Sequence, residues 1–529
     1  MRRRSSIASI MILGVSSMSI IKYIFFSALS IMLLTVSVAC VSNIDKGDDN
    51  MKKQNSFRYV GSHYVISETG AQASVVADDV SEDIYGGAFM EDPLLESDFS
   101  AEVTVRPKSK VSDVGILFGA KEVNETKGFE GYAFTVGDNR VRLYQIQSLA
   151  SEMTVTELGS RRVESFARGD DVKLRIETID NIVRCYFCDD LEGVEPWPEF
   201  EFALTMCGSG IGYFDNGQGA AFEELTVEPL INKDQPTDTY QNPVFGSLSG
   251  ADPYVLYHDG LYYLYCSGYA PYNDGYWYYT SSDLVNWTRG ERCAGFMNGV
   301  GAGKYWAPEV YEINGKFYLI ATVDLHIAVA VADSPKGPFV YQKDYLVDKG
   351  IDGHIFIDDD RRMYLFYTIN TRVWGCELKM SGDNMSVKQE TVKTVFGPGA
   401  SGEEAPFLLK HNGLYYLTTS TNSYTSPDYS VNLSISDTPL GNYKKYEGSP
   451  ILCKTAQVHG TGHHSFVMSP DGSEMFIVYH KHASPGVVGP RTICIDRARF
   501  APTESGVDRI EVYGPTHTPQ PIPKGINMP

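Results

Sequence analysis

Three carboxylates stand at recurring points in the second half of this 529-residue chain. Asp252, Asp352 and Glu404 each open a short apolar segment that is followed by a turn and a second apolar segment. Carboxylates that converge repel one another, so the pKa of at least one must rise. A carboxylic acid beside a carboxylate is what hydrolysis of a glycosidic bond needs, because the acid protonates the leaving oxygen and the carboxylate activates water. One such residue alone is typical of a turn, but three at matching positions favour catalysis.

The segments that must position these acids form a fivefold repeat. Each unit is predicted to be a strand, an Asn-Gly or Asp-Gly type turn and an aromatic-rich second strand, which is a β-hairpin pattern. The units begin at Ala251, Trp306, Ile351, Glu404 and His463. Five four-stranded blades make a five-bladed β-propeller, in which each inner strand begins at the mouth of the central channel. The three acids are therefore expected at one end of that channel, all at the same blade position.

A different pattern precedes the repeat, and the chain is predicted to be all-β. Residues 55–230 alternate apolar and polar side chains between frequent turns, which predicts a β-sandwich (jelly-roll) domain resembling concanavalin or laminin-G modules. The predicted order continues with a polar linker at 231–246, the propeller at 247–515 and a C-terminal tail at 516–529. The sandwich would bind glycan or act as a spacer. Its Trp197 and Tyr144 are expected either to stack on a sugar or to pack as buried or rim aromatics.

The segments around the three acids resemble the signature segments of glycoside hydrolase family 43. The likeness covers about residues 240–510, and it is carried by Asp252-Pro253, Asp352 with Phe356-Ile357-Asp358-Asp359-Asp360, Glu404-Ala405-Pro406, Trp306-Ala307-Pro308-Glu309 and Gly462-His463-His464-Ser465. The resemblance implies a five-bladed propeller and an inverting enzyme. It also implies that Asp252 is the general base, that Glu404 is the general acid, and that Asp352 tunes the pKa of the acid and orients it.

Two departures from the family pattern bear on these roles. Gly353 follows Asp352 where the family often has proline, which leaves Asp352 itself intact. Glu403 precedes Glu404, so one of the two is expected to be a solvated surface acid, and the position before Ala405-Pro406 selects Glu404 as the catalytic one.

Three further residues are predicted to lie at the mouth. Trp306 is expected to form a stacking platform for a sugar, with core packing as the alternative. Arg491 resembles a family arginine that contacts the substrate, and a rim salt bridge is the alternative. His463 matches a family position near the channel axis, where some members hold Ca²⁺ or another ion. Calcium prefers oxygen ligands, so His463 would touch the water shell of such an ion or the substrate. The acid–base chemistry itself requires no cofactor.

The first residues predict an export signal. Arg2, Arg3 and Arg4 precede apolar runs that end in Ser37-Val38-Ala39-Cys40, a small-residue cleavage pattern with a cysteine. This pattern resembles a bacterial lipoprotein signal. Residues 1–39 are thus expected to be removed, Cys40 to be lipidated and 40–54 to form a flexible tether. The protein would then be anchored to a membrane at the cell surface or in the periplasm; unlipidated secretion and a retained membrane anchor are the alternatives.

The charge of the chain limits its partners. The sequence has 45 basic and 66 acidic side chains, and 41 basic ones remain without the predicted signal, which gives a net charge near −25. Contacts with phosphate need basic side chains, so no nucleic acid partner is expected. A carbohydrate substrate is expected, and the sequence indicates no oligomeric state.

The predicted function is removal of α-L-arabinofuranosyl or β-D-xylosyl units from plant-type polysaccharide, a choice that rests on the family resemblance. The same carboxylates would serve a galactanase or an arabinanase, because loops around the pocket set the substrate. The alternative from a different class is a non-catalytic glycan-binding lipoprotein at the cell surface. Retention of all three acids argues against it, since binding alone needs no acid with a raised pKa beside a base.

Overall fold

The structure is a computed structural model that describes residues 58–525. It leaves out 61–63, 68–69, 74–85, 92–97, 110, 124–127, 150–151, 164–169, 189–195, 217, 224, 231–237, 245–249, 268–274, 398–401 and 504. The predicted signal, Cys40 and the predicted tether lie outside the described residues. Within the described ranges, no helix is both long and apolar enough to cross a membrane.

The N-terminal half consists of two antiparallel sheets. Its strands are β1 (Arg58–Val60), β2 (Tyr64–Ser67), β3 (Gly70–Ala73), β4 (Gly86–Glu91), β5 (Phe99–Pro107), β6 (Val114–Val123), β7 (Gly128–Gly137), β8 (Arg140–Leu149), β9 (Glu152–Arg162), β10 (Val172–Ile179), β11 (Ile182–Cys188), β12 (Phe200–Ala203), β13 (Gly210–Asp215), β14 (Ala220–Glu223) and β15 (Thr226–Pro229). One sheet has the order β1-β4-β13-β6-β7-β8-β9, and the other has the order β12-β11-β10-β5-β14-β3-β2 with β15 also paired to β5.

The two sheets share one apolar core. In β5, burial alternates along Phe99–Pro107, as the period-2 pattern predicts for a strand with one face inward. Val103 and Leu174 from one sheet pack in the same cluster as Ile116 and Phe134 from the other. This is the face-to-face packing of a sandwich.

The C-terminal half consists of five consecutive antiparallel sheets, here called blades 1 to 5. Blade 1 is β17 (Ala251–His258), β18 (Leu261–Ser267), β19 (Tyr276–Ser281) and β20 (Thr288–Ala294); blade 2 is β21 (Tyr305–Ile313), β22 (Lys316–Val323), β23 (His326–Ala332) and β24 (Val340–Tyr341); blade 3 is β25 (Ile351–Ile357), β26 (Met363–Ile369), β27 (Arg372–Ser381), β28 (Asn384–Val387) and β29 (Lys393–Phe396), with a 3₁₀ turn at Gln389–Thr391; blade 4 is β30 (Glu403–His411), β31 (Leu414–Thr421), β32 (Ser430–Ser436) and β33 (Lys444–Lys445); blade 5 is β34 (Gly462–Met468), β35 (Met475–Lys481), β36 (Thr492–Ala501) and β37 (Arg509–Tyr513).

The blades close into a ring through apolar layers between neighbours. A separate buried cluster joins each blade to the next, and the fifth cluster joins blade 5 back to blade 1. Representative pairs across these layers are Tyr265 with Val310, Ile320 with Leu365, Phe366 with Leu417, Leu433 with Ile477, and Val478 with Leu264. The all-β prediction is confirmed.

The ends of the ring are tied together outside the blades. The short strand β16 (Thr239–Tyr240) pairs with β38 (Gln520–Pro521). Asn242 Nδ2 donates to Asp496 Oδ1 at 3.1 Å and to Thr516 Oγ1 at 3.1 Å, and all three side chains are buried. The end of the predicted linker and the start of the predicted tail are therefore packed parts of the ring.

The sandwich is fixed to the ring by a buried carboxylate. Glu201 in β12 pairs with Arg184 Nε at 2.7 Å and accepts a hydrogen bond from Gln520 Nε2 at 2.6 Å. The Trp197 ring lies 5.9 Å from the Tyr513 ring in this junction. Trp197 and Tyr144 were the two aromatic residues of the sandwich that the sequence suggested as sugar platforms. Trp197 thus packs against blade 5 of the propeller. Tyr144 is buried and donates a hydrogen bond to Asp113 Oδ2 at 2.7 Å.

Candidate active site

Each inner strand begins with a β-bulge. The five bulges span 251–254, 306–309, 351–354, 404–407 and 462–465. The second residue of every bulge lies in the left-handed region, with φ of 55° at Asp252, 44° at Ala307, 58° at Asp352, 50° at Ala405 and 44° at His463. A bulge turns side chains away from the regular alternation of a strand. Asp252, Asp352, Glu404, His463 and Trp306 all occupy one of the first two positions of a bulge.

The bulges correct one prediction about the acids. Asp252 and Asp352 share a blade position, and His463 occupies the same position in blade 5. Glu404 does not share it, because Glu404 is the first residue of its bulge and Ala405 is the second. The expectation that all three acids occupy one blade position was therefore wrong by one residue for Glu404.

A side chain from the preceding blade holds the backbone of each bulge. The acceptors for the bulges of blades 2, 3 and 5 are hydroxyls: Ala307 N–H donates to Ser267 Oγ, Asp352 N–H to Thr322 Oγ1 and His463 N–H to Ser420 Oγ, each at 2.8 Å. In the bulge of blade 1, Asp252 N–H donates to His480 Nδ1 at 3.2 Å. These four acceptors occupy equivalent positions near the end of the second strand of each blade.

Blade 4 departs from this arrangement, and the departure involves Asp352. The N–H of Ala405 donates to Asp352 Oδ2 at 3.2 Å. Thr368, the equivalent hydroxyl, is buried and has no hydrogen-bond partner among the described residues. Asp352 thus binds the backbone next to Glu404, which supports the predicted role of orienting the acid.

Asp252 is a buried carboxylate surrounded by donors. Its Oδ1 lies 3.0 Å from Arg491 Nη1 and 3.3 Å from His463 Nδ1, and its Oδ2 accepts a hydrogen bond from Ser267 Oγ at 2.5 Å. Burial alone would raise the pKa of Asp252, but His463, Arg491 and His480 together lower the pKa well below its ordinary value of 3.8. A carboxylate that stays ionised is suited to the work of a general base.

Glu404 has the opposite shift. Burial raises the pKa of Glu404 above its ordinary value of 4.5, and Asp252 adds to the rise, while Tyr429, His463 and Arg491 limit it. Tyr429 donates its hydroxyl to Glu404 Oε1 at 2.7 Å. A carboxyl group with a raised pKa beside a carboxylate with a lowered pKa is suited to the work of a general acid.

Glu403 is not the solvated surface acid that the sequence suggested. Glu403 is buried, and it accepts hydrogen bonds from Thr419 Oγ1 at 2.6 Å and from Asn432 Nδ2 at 3.2 Å within blade 4. Successive residues of a strand point to opposite faces. One glutamate of the pair therefore enters the blade, while Glu404 reaches the group that includes Asp252 and His463.

Asp352 is the third acid of the group. Burial raises the pKa of the Asp352 carboxyl; His463 opposes the rise, and Glu404 and Asp252 add to it. Mutual repulsion thus links the protonation of Asp352 to that of Glu404. The structure brings together all three predicted acids.

His463 lies among these acids, with Nδ1 3.3 Å from Asp252 Oδ1. Burial would lower the pKa of His463, but Asp252, Asp352 and Glu404 raise it above the ordinary value of 6.5. Across the described residues, no group of three or more His, Cys, Asp or Glu side chains is arranged to hold a metal ion. The predicted channel ion, which His463 would touch through its water shell, stays a prediction.

Trp306 and Arg491 lie beside the acids. Trp306 is the first residue of the blade 2 bulge, the position that Glu404 has in blade 4, and its side chain is 37% exposed. Arg491 forms the ion pair with Asp252, and its Cζ lies 5.2 Å from the centre of the Tyr424 ring. The salt bridge is therefore present, and it joins Arg491 to the candidate base.

Sequence reasoning missed the residues that hold the acids in place. Tyr429 binds Glu404, and its ring stacks 5.7 Å from that of His480. A signal for the bulge acceptors was present, because Ser267, Thr322 and Ser420 recur at one place in the repeat, near the end of each aromatic-rich second strand. Tyr429 does not lie in the repeated segments, since it ends the loop 422–429 between the second and third strands of blade 4.

Two carboxylates with opposed pKa shifts at the mouth of a ring of blades fit the needs of a hydrolase that uses carboxylates. The sequence model of glycosyl hydrolases family 43 matches residues 240–504, half of the chain. The chain belongs to this family and is a glycoside hydrolase, which confirms the resemblance seen in the motifs.

Individual relatives match the same half of the chain. β-D-Galactofuranosidase xynD of Aspergillus niger is 26% identical over 292 residues, which are 49% of this chain and 82% of that protein. An arabinoxylan arabinofuranohydrolase of Paenibacillus polymyxa is 27% identical, and the match covers 48% of this chain and 49% of that protein. The chain thus spans about half the length of the second relative. Among solved structures, a thermostable family-43 glycoside hydrolase is 39% identical, with 54% of this chain and 100% of that chain covered at a TM-score of 0.49.

Proposed function

We propose that this chain is an inverting glycosidase that releases α-L-arabinofuranosyl or β-D-xylosyl units from plant-type polysaccharides or oligosaccharides. The five blades form the catalytic propeller, and the sandwich is a concanavalin-like module fixed beside it. Asp252 acts as general base, Glu404 as general acid, and Asp352 holds and tunes the acid.

The opposed pKa shifts of Asp252 and Glu404 are the observation that carries this proposal. An inverting hydrolysis needs an ionised carboxylate and a protonated carboxyl group in one pocket. Donors around Asp252 stabilise its charge, whereas burial and the nearby carboxylate oppose ionisation of Glu404. If Asp252 and Glu404 had only structural roles, they would need no such difference between their pKa values.

The proposed reaction is a single displacement. Asp252 accepts a proton from water as the water oxygen bonds to the anomeric carbon. The bond from that carbon to the leaving oxygen breaks, and Glu404 gives its proton to this oxygen. The pentose choice is supported by relatives that are named for arabinofuranosyl and xylosyl substrates.

A panel of substrates tests the function. Wild-type protein is incubated with 4-nitrophenyl α-L-arabinofuranoside, β-D-xylopyranoside and β-D-galactofuranoside, and with arabinan, arabinoxylan and galactan. Nitrophenol release and chromatography report hydrolysis, and proton NMR reports the anomer first formed. Release of the inverted pentose supports the proposal. Release from galactan or internal cleavage of arabinan would identify a galactanase or an arabinanase, and binding without release would identify the non-catalytic receptor.

Two isosteric variants test the roles of the acids. Asp252→Asn and Glu404→Gln should each lower kcat by about 10³-fold or more, since each removes a group that moves a proton. Glu403→Gln is the matched control, because Glu403 lies next to Glu404 but inside the blade. Activity of either catalytic variant near that of the control would contradict the assignment.

We further propose that the protein is exported and lipidated at Cys40, and that hydrolysis needs no cofactor. The motif around Cys40 and the acid–base pair support these two statements. Labelled palmitate should enter the wild-type protein in bacterial cells but not Cys40→Ala. Activity should survive dialysis against EDTA; loss that only Ca²⁺ restores would show that an ion is needed.

A further inference from the structure

Tyr424 is an exposed aromatic residue at the mouth. It lies on the loop 422–429, which joins β31 to β32 in blade 4, and its side chain is 48% exposed. The same loop ends at Tyr429, whose hydroxyl binds Glu404 at 2.7 Å. One short loop thus carries both an exposed ring and the group that holds the candidate acid.

The position of the Tyr424 ring is fixed relative to the base as well. Arg491 Cζ lies 5.2 Å from the centre of the ring, and Arg491 Nη1 lies 3.0 Å from Asp252 Oδ1. The Tyr424 carbonyl is 2.8 Å from His482 Nε2 in blade 5. Only Arg491 separates the Tyr424 side chain from Asp252, and two contacts with blade 5 hold Tyr424 in place.

Hydrogen bonds within the loop keep the ring exposed. Asn422 Nδ2 donates to the Asp428 carbonyl at 2.7 Å, and the Ser426 N–H donates to the Ser423 carbonyl at 2.8 Å. Across to blade 5, the Gly460 N–H donates to the Pro427 carbonyl at 2.9 Å. A flexible loop would lose entropy on binding a ligand, whereas a fixed one presents its ring without that cost.

We propose that Tyr424 is the stacking platform for the saccharide unit on the leaving-group side of the scissile bond, an inference that rests on the proposed function. The general acid must face the leaving oxygen, so the unit attached to that oxygen lies next to Glu404 and the loop that holds it. An exposed ring with one polar tip suits the apolar face and hydroxyl rim of a sugar. Trp306 belongs to blade 2, whereas Tyr424 belongs to blade 4, the blade of the candidate acid.

Paired substrates test this assignment. Xylobiose has a sugar as its leaving group, and β-D-xylosyl fluoride has only fluoride, which cannot contact Tyr424. If the panel identifies arabinofuranosides, α-1,5-arabinobiose and α-L-arabinofuranosyl fluoride replace them. Tyr424→Ala should lower kcat/KM for the disaccharide by about tenfold and leave the fluoride within about twofold of wild type. Tyr424→Phe should remain close to wild type on both.

Controls separate this proposal from the function itself. Tyr257 is 40% exposed near the far end of β17, so Tyr257→Ala removes a similar ring away from the mouth and should change neither substrate. Equal losses on disaccharide and fluoride for Tyr424→Ala would overturn the platform, because the ring would then act on the base through Arg491. No loss on either would also overturn it. Failure of the wild-type protein on both substrates would instead contradict the proposed function.

Discussion

The hydrogen bond from Tyr429 to Glu404 leads to a quantitative prediction. Tyr429→Phe removes only the hydroxyl that lies 2.7 Å from Glu404 Oε1, and it leaves the ring that stacks on His480. The hydroxyl donates to the ionised form of Glu404 and so lowers the pKa of the acid. Its loss should therefore raise that pKa.

The size of the shift follows from the bond. A hydrogen bond to a charged group contributes about 1.5–3 kcal/mol, and one pKa unit corresponds to about 1.36 kcal/mol. Since Glu404 is only partly buried, water replaces some of the lost stabilisation, and we expect a rise of about one unit. A general acid works while protonated, so the alkaline limb of the profile of kcat/KM against pH should move up by about one unit.

The assay uses aryl glycosides of the sugar that the panel identifies. The pH profile is recorded for wild type, Tyr429→Phe and Tyr415→Phe. Tyr415 is a buried control in the same blade, and its hydroxyl donates to Asp358 Oδ2 at 2.6 Å. Tyr415 lies near the start of β31, whereas the loop with Tyr429 follows the end of β31. The loss of rate in Tyr429→Phe should be smaller with 2,4-dinitrophenol than with 4-nitrophenol as leaving group, since the better leaving group needs less protonation. An alkaline limb that stays in place or moves down would refute the reasoning.

Three further predictions concern other buried acids. Asp352→Ala removes the carboxylate that accepts the Ala405 N–H at 3.2 Å next to Glu404, so the acid is held less well and kcat on the aryl glycosides should fall by about 10²-fold. Glu201→Ala leaves Arg184 without its partner and should lower the free energy of unfolding by about 3 kcal/mol in urea titrations. Burial raises the pKa of Asp496 from 3.8 to about 7. The folded state therefore binds the proton more tightly, so stability should fall as pH rises from about 4 to 7, by at most about 4 kcal/mol, and Asp496→Asn should remove this slope.

Each of these has an outcome that contradicts it. A kcat of Asp352→Ala near that of wild type would mean that Asp352 does not position the acid. Unfolding of Glu201→Ala at the wild-type midpoint would show that the junction adds no stability. A slope between pH 4 and 7 that Asp496→Asn retains would place its origin in other groups.

Local patterns were sufficient for the strands and the repeat. Alternation in β5 and the Asn-Gly turn after β21 depend on neighbouring residues alone, and so they are visible in the sequence. Packing of the end of the chain was not visible in this way. Thr516 and Gln520 follow a short polar stretch that reads as a tail, yet Asn242 and Glu201, far away in sequence, provide the partners that bury them.

The acids were predicted by type, but their register was not. Hairpin turns align the repeats only to within a residue, and a bulge adds one residue that a simple alternation cannot show. The prolines carried the missing information, because Pro253, Pro308 and Pro406 all occupy the third bulge position. When the repeats are aligned on these prolines, Glu404 lies two residues before its proline, whereas Asp252 lies one residue before its own. The opposed pKa shifts depend on burial and on Arg491, which no local pattern reveals.

The five bulges also bear on how such a mouth can change. A non-glycine residue held at positive φ costs about 1 kcal/mol or more, and every blade bears this cost whichever side chain it presents. Ala307 and Ala405 share the backbone of Asp252, Asp352 and His463 but carry no functional group. A charged or polar side chain placed at either alanine would enter the same mouth on a backbone that already exists. The ring thus offers two vacant places in which new specificity can arise by substitution alone, without rebuilding a blade.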